Sequence, residues 1–258
     1  MRIALLAVIF AACSVFGTQG GEGSSAVTIE AHVPPPQSEP GLGKELNPLV
    51  RQAIDNCKIN KPDDAEKQLD EALAGFAKLR IDTTKEYLSF FNKAEYEAYL
   101  KESGKKAEQV VWMDLSYQQA LHTKAYVTAG RKKYDEALKQ LDEEVKAAPY
   151  SANAWSEKAY SYLALKKYEE ALDAYKKASE LASKIPTQRA FKVGALRGIG
   201  ESNLLLNRLA EARQAYEDAL KIEPNHRMSQ EKLQYIQQRE RDLKEREELE
   251  KANPAPGE

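Results

Sequence analysis

The sequence predicts an all-α fold, an α-solenoid of stacked helical hairpins closed by a C-terminal helix. Three observations carry that expectation. The string KAYVTAGRKKYDEAL, from Lys124 to Leu138, returns as KAYSYLALKKYEEAL from Lys158 to Leu172, an offset of 34 residues. A string that recurs at a fixed offset is one supersecondary unit that cannot bury its apolar face without a copy alongside. A small residue, a bulky one four later and a second small one three after that recur at Ala65, Leu69 and Ala72, at Ala171, Tyr175 and Ala178, and at Ala212, Tyr216 and Ala219. The small residues let two helices approach, and the bulky one fills the groove between them. From Pro48 onward apolar residues recur at three- and four-residue intervals, without strand-like alternation.

Composition narrows the function classes. With 42% hydrophobic and 30% charged residues in 258, the chain has the make-up of a soluble, foldable protein. Its net charge of −2 and its interleaved charges offer no basic stripe for phosphate backbones, which argues against a nucleic-acid partner. Cys13 and Cys57 are the two cysteines; if Cys13 is removed or lipidated no intrachain disulfide remains, and the fold must stand on packing.

The elements follow in chain order. Residues 1–17 read as an export signal: Arg2, then an apolar run from Ile3 to Phe10 too short to span a bilayer, then small residues. Within it Phe10-Ala11-Ala12-Cys13 resembles the bacterial lipobox, which makes Cys13 a candidate lipidation site; the alternative is cleavage after Val15-Phe16-Gly17, with Cys13 discarded. Residues 18–45 are expected to form a Gly/Ser/Pro-rich tether carrying His32. A solenoid is expected over 46–226, with repeats at about 46–79, 118–151, 152–192 and 193–226. Between them, 80–117 is expected to be a degenerate helical hairpin, because Tyr87, Leu88, Phe90, Phe91, Tyr96, Tyr99 and Leu100 make an apolar face and Val110 to Leu115 begin another helix. Residues 227–251 should be a charged capping helix with Met228, Leu233 and Ile236 on one face. A disordered tail is expected over 252–258.

In the first helix of two repeats stand Trp155, Ala159 and Tyr162, and Leu196, Ile199, Gly200 and Asn203; Pro224 closes the later one. With the period of 34 this resembles the tetratricopeptide repeat (TPR) family over roughly Leu46 to His226, and the lipobox makes the chain similar to bacterial TPR lipoproteins. One spacing departs: Ala171 to Ala212 is 41 residues, with three extra before Pro186 and four after it, so one hairpin should be taller. Gly194, Gly198 and Gly200 lie inside a helical repeat with no preceding strand, so a packing role is expected rather than a phosphate loop.

No catalytic motif is visible, and His32, His122 and His226 stand in no metal-ligand spacing. The chain is therefore expected to be a non-enzyme without cofactor or metal. What the resemblance implies instead is a concave groove lined by first helices. Its groove-facing positions are Gln119, His122 and Tyr126 in one repeat, Asn153, Ser156 and Tyr160 in the next, and Gly194, Arg197 and Glu201 in a third. Tyr126 and Tyr160 occupy equivalent places and are candidate anchors for a peptide, packing within the hairpins being their alternative role. The carboxylate clamp with which some relatives hold chaperone C-termini is not visible, Arg197 being the main cation at these positions. The expectation is a monomeric scaffold or adaptor for protein or peptide partners in the cell envelope, periplasmic and anchored at the outer membrane if Cys13 is lipidated, or secreted. A self-assembling envelope protein using the C-terminal helix is the alternative.

Overall fold

A computed structural model describes residues 41–252. The export signal, Cys13, the tether as far as Pro40 and the tail from Asn253 lie outside the described residues. The chain divides into two compact units, Met1–Val127 and Thr128–Glu258.

The first unit opens with a 3-10 turn, Lys44–Leu46, then α1 (Asn47–Lys58) and α2 (Pro62–Leu79). Proline stands in the first turn of both helices, where its missing N–H costs nothing. Val50, Ala53 and Ile54 of α1 and Ala65, Leu69, Ala72 and Phe76 of α2 are fully or almost fully buried as the two helices pack together. The small–bulky–small set at 65, 69 and 72 thus makes the contact its spacing implied.

Residues 80–117 are not a degenerate helical hairpin. They contain strand β1 (Glu86–Ser89), helix α3 (Lys93–Ser103) and strand β2 (Val110–Met113), after which α4 (Leu115–Gly130) begins. The strands pair in parallel, Glu86 opposite Val110 through Ser89 opposite Met113, and parallel strands need such a crossover. Two local signals separate strand from helix. Asn92 caps α3 by accepting the Glu95 N–H at 3.0 Å, and Gly104 ends it at φ 68°. The end of the expected tether is also structured: Leu42 pairs with Met113, its N–H reaching the Trp112 carbonyl at 3.0 Å and its carbonyl accepting the Asp114 N–H at 2.9 Å. Over one face of the sheet lies an aromatic cluster. Trp112 stacks on Tyr96 at 5.5 Å, and Phe90 meets Tyr96, Tyr99 and Trp112 with tilted or edge-on rings. Burial and the carboxylate of Glu86, 2.7 Å away, push the Tyr99 hydroxyl up to about 12, so it stays a donor.

The second unit is an antiparallel run of helices: the end of α4, then α5 (Tyr134–Ala147), α6 (Ala152–Ala164), α7 (Tyr168–Lys184), α8 (Lys192–Leu205), α9 (Leu209–Ile222) and α10 (Arg227–Ala252). From α5 onward each helix packs against the next, so the expected fold class stands. The seven additional residues do two things. Helix α7 has 17 residues against 14 for α5 and α9, and the remaining extra residues fall in a six-residue 3-10 segment, Pro186–Phe191, instead of lengthening α8. That segment carries Gln188, buried, whose Oε1 accepts the Ala152 N–H at 3.2 Å, while Ser151 Oγ accepts the Ala154 N–H at 3.1 Å. The insertion thus satisfies one donor at the start of α6, the Ala152 N–H, that would otherwise be buried and unpaired, while the helix's own cap residue serves the other.

Every hairpin turns the same way. Asn60, Lys132, Lys166 and Asn207 have φ of 56°, 62°, 61° and 59°, and each turn repeats the bond pair of Lys166 N–H to Leu163 and Lys167 N–H to Tyr162. Asparagine tolerates this left-handed conformation, and lysine pays about 1–2 kcal/mol for it. Replacing Lys132 or Lys166 by Gly is expected to stabilise the second unit by about 0.5–1 kcal/mol each, because the relieved strain exceeds the extra chain entropy of Gly. Thermal melting checks this, and alanine at the same positions should give no gain.

Candidate functional site

In the first unit the three residues expected to line a groove lie on α4. His122 is only 4% exposed and does not form an open surface; Gln119 and Tyr126 are half-buried, and the Gln119 carbonyl accepts the Thr123 hydroxyl at 2.7 Å. On α6, Asn153 and Ser156 are also buried, and Ser156 Oγ donates back to the Ala152 carbonyl at 3.1 Å. The cause is crowding: α6 is packed against α5, α7, α8 and the 3-10 segment, which leaves little of its surface free. Tyr160 does emerge, 40% exposed, with its ring edge-on to Tyr134 at 6.5 Å.

Arg197 and Glu201 lie on α8 and are already engaged. Arg197 pairs with Glu223 at 3.2 Å; Glu201 accepts the Tyr216 hydroxyl at 2.9 Å and pairs with Lys232 of α10 at 2.6 Å. Burial first, then the Glu201 carboxylate, raises the Tyr216 hydroxyl far above its ordinary value and keeps it a donor. Half-buried Gly194 adds no side chain.

Beside Glu201 a cleft of about 410 Å³ opens between α8 and α10, lined by Leu204, Leu205, Met228, Glu231, Lys232 and Tyr235 as well as Glu201. Helix α10 carries two apolar stripes. Leu233 and Ile236 point into a core with Ala212, Tyr216, Leu204 and Leu209. Met228 and Tyr235, 56% and 50% exposed, sit seven residues apart with Lys232 between them on the cleft side. That second stripe is legible as M-x3-K-x2-Y and takes Met228 off the face of Leu233 and Ile236, where it is expected from sequence. The rim charges are paired within the chain, Glu201 with Lys232 and Glu231 with Arg227.

The capping duty falls on the first half of α10. Glu240 pairs with Arg213 of α9, and beyond it Lys244 pairs with Glu248 on the helix's own surface; from Arg241 to Ala252 every residue is exposed. Leu233 and Ile236, which a self-pairing seam would need, are committed to their own unit. A second cleft of about 430 Å³ lies within the first unit, where Leu42, Leu79, Ile81, Tyr87 and Val111 meet Lys78, Asp82 and Lys85. Among the described residues no three His, Cys, Asp or Glu side chains are grouped to hold a metal ion, and no helix is long and apolar enough to cross a membrane. Cys57 is half-buried, and burial pushes its thiol up to about 11.

The tetratricopeptide repeat model matches residues 150–224, the stretch that holds α6 to α9. No curated protein sequence matches the chain significantly. Among solved structures, PilF of Pseudomonas aeruginosa is similar at TM-score 0.55 and 14% identity, over 78% of this chain and 71% of that one. The Cut9–Hcn1 assembly of the APC/C is similar at TM-score 0.51 and 15% identity, over 74% and 30%. The first TPR domain of human RPAP3 is 27% identical over 47% of this chain and 90% of that chain, at TM-score 0.43. The first two likenesses show a shared fold.

Proposed function

We propose that this chain is a non-catalytic TPR scaffold that binds protein or peptide partners in the cell envelope, with the second unit's exposed tyrosines and the α8–α10 cleft as its contact surface. One observation carries the reading. Exposed apolar side chains occur singly elsewhere in the unit, but Met228, Tyr235 and Leu205 are gathered around one open cleft. Exposed apolar side chains gathered in one patch with a polar rim mark interaction sites. Tyrosine is well suited to anchor a peptide, because it offers a large surface and few rotamers to freeze.

The envelope setting is supported by the sequence of residues 1–17 and by the lipobox-like Phe10-Ala11-Ala12-Cys13. A Cys13 carrying two or more acyl chains would anchor the protein stably, whereas one chain is marginal.

The expected result is that Tyr160→Ala with Tyr235→Ala leaves the melting temperature within a few degrees of the parent and weakens capture of an envelope partner by roughly thirtyfold, as for truncated aromatic hot spots of about 2 kcal/mol. Affinity purification followed by titration of the recovered partner reads it; equal affinity for both proteins would count against the surface. Fatty-acid labelling of the parent and of Cys13→Ala tests the anchor separately.

A further inference from the structure

His226 immediately precedes α10 and caps it. Its Nδ1 accepts the Ser229 N–H at 3.2 Å and stands 2.9 Å from Ser229 Oγ. A backbone N–H can only donate, so Nδ1 is an unprotonated acceptor here, and the hydroxyl donates to it as well. Ser229 is fully buried, so its N–H has no water to turn to. The cap therefore exists only while the imidazole is neutral. A proton on Nδ1 would turn the acceptor into a donor and set a cation at the positive end of α10.

We propose that His226 is a pH-responsive latch: neutral, it pins the first turn of α10 in place, and protonated, it releases that turn and opens the wall of the α8–α10 cleft. Met228, Glu231 and Lys232, three of the cleft residues, belong to the first six residues of α10. Only this functional consequence rests on the cleft being a partner site; the latch itself does not.

The charged groups around His226 set the direction. Arg197 of α8 repels a second cation there, and Glu223 at the end of α9 favours one, but the Glu223 carboxylate is already shared with Arg197 at 3.2 Å. On α10 itself, Arg227 is paired with Glu231. Burial, then Arg197, holds the His226 imidazole below its ordinary value of 6.5. The unfolded chain thus binds the proton more readily than the folded one. The stability that His226 contributes is complete above about pH 6.5 and is lost as pH falls from there towards the lowered folded value.

Hydrogen exchange of the full chain tests this, read as the protection factor of peptides covering Arg227–Tyr235 so that the intrinsic pH dependence of exchange is removed. In the parent, protection of this segment should fall about tenfold between pH 7.5 and pH 4.5, in keeping with the loss of one cap. His226→Asn, whose side-chain oxygen caps without titrating, should hold its protection at both values, and His226→Ser should do the same. Parent protection that does not change, or an equal fall in the Asn and Ser variants, would overturn the latch. Because the measurement is made without partner, its failure is distinct from a failure of the Tyr160 and Tyr235 variants to lose capture.

Discussion

Ile236→Asp is expected to detach α10 and lower the stability of the second unit by about 4 kcal/mol or more. Ile236 is fully buried against Ala212 and Tyr216, with Leu204, Leu209 and Leu233 packed around them. Ile→Ala at such a place costs about 2–5 kcal/mol through lost burial and the cavity left behind. An aspartate adds a carboxylate that must either be desolvated or pull the helix away. Pulling away is the less costly course, because α10 is the last element and has α9 as its main support. It would leave Tyr216 and Ala212 facing water and dismantle the α8–α10 cleft. Urea unfolding should show an earlier midpoint, with a lower slope if α10 is already loose in the native state. Leu249→Asp is the matched control: Leu249 is 64% exposed on the projecting half of the same helix, so its unfolding free energy should change by no more than about 0.5 kcal/mol.

Ile236 and Leu249 lie on one helix, and only contacts beyond that helix make the first a core residue and leave the second in solvent. Patterns that depend on neighbours close in the chain were readable. Ala171, Tyr175 and Ala178 lie on one face because helices have a fixed period, and all three are buried. Patterns that depend on distant partners were not. Glu86 to Ser89 became a strand by pairing with Val110 to Met113 and not through any alternation of its own, and Leu42 joined them from outside the expected solenoid. Counting Tyr87 through Leu100 as one helical face merged a strand with the helix after it, although Asn92 marks the border. The groove suffered in a similar way. Positions 153 and 156 would face outward on an isolated hairpin, but α6 is enclosed by its neighbours and by a 3-10 segment that exists only because of the insertion around Pro186. Legibility of the cleft was partial: Glu201 is among the expected groove positions, while Met228 and Tyr235 needed the helix's second stripe to be separated from its first.

Gly198→Val should destabilise the second unit by about 3 kcal/mol or more, and Gly198→Ala decides why. In an exposed helix interior, Gly→Ala gains about 1 kcal/mol from backbone entropy. At Gly198 the added Cβ would lie 2.4 Å from the ring of Tyr175, closer than any real contact. That ring cannot swing aside, since it is held in a cluster with Ala159, Ala174, Trp155, Tyr162, Leu163 and Ile199. Overpacking of this kind costs about 1–3 kcal/mol, so it outweighs the helix gain and Ala should be a net loss of about 1 kcal/mol, with the larger Val worse. Gly130, where a Cβ would meet nothing within 4 Å, should show the opposite sign. A double-mutant cycle isolates the contact: Tyr175→Leu removes the ring, and Gly198→Ala made on top of it should lose little or gain. If the two changes simply added, the close approach of α8 to α7 would not be what requires a glycine at this point, and the glycine-bearing turns of α8 would need another explanation.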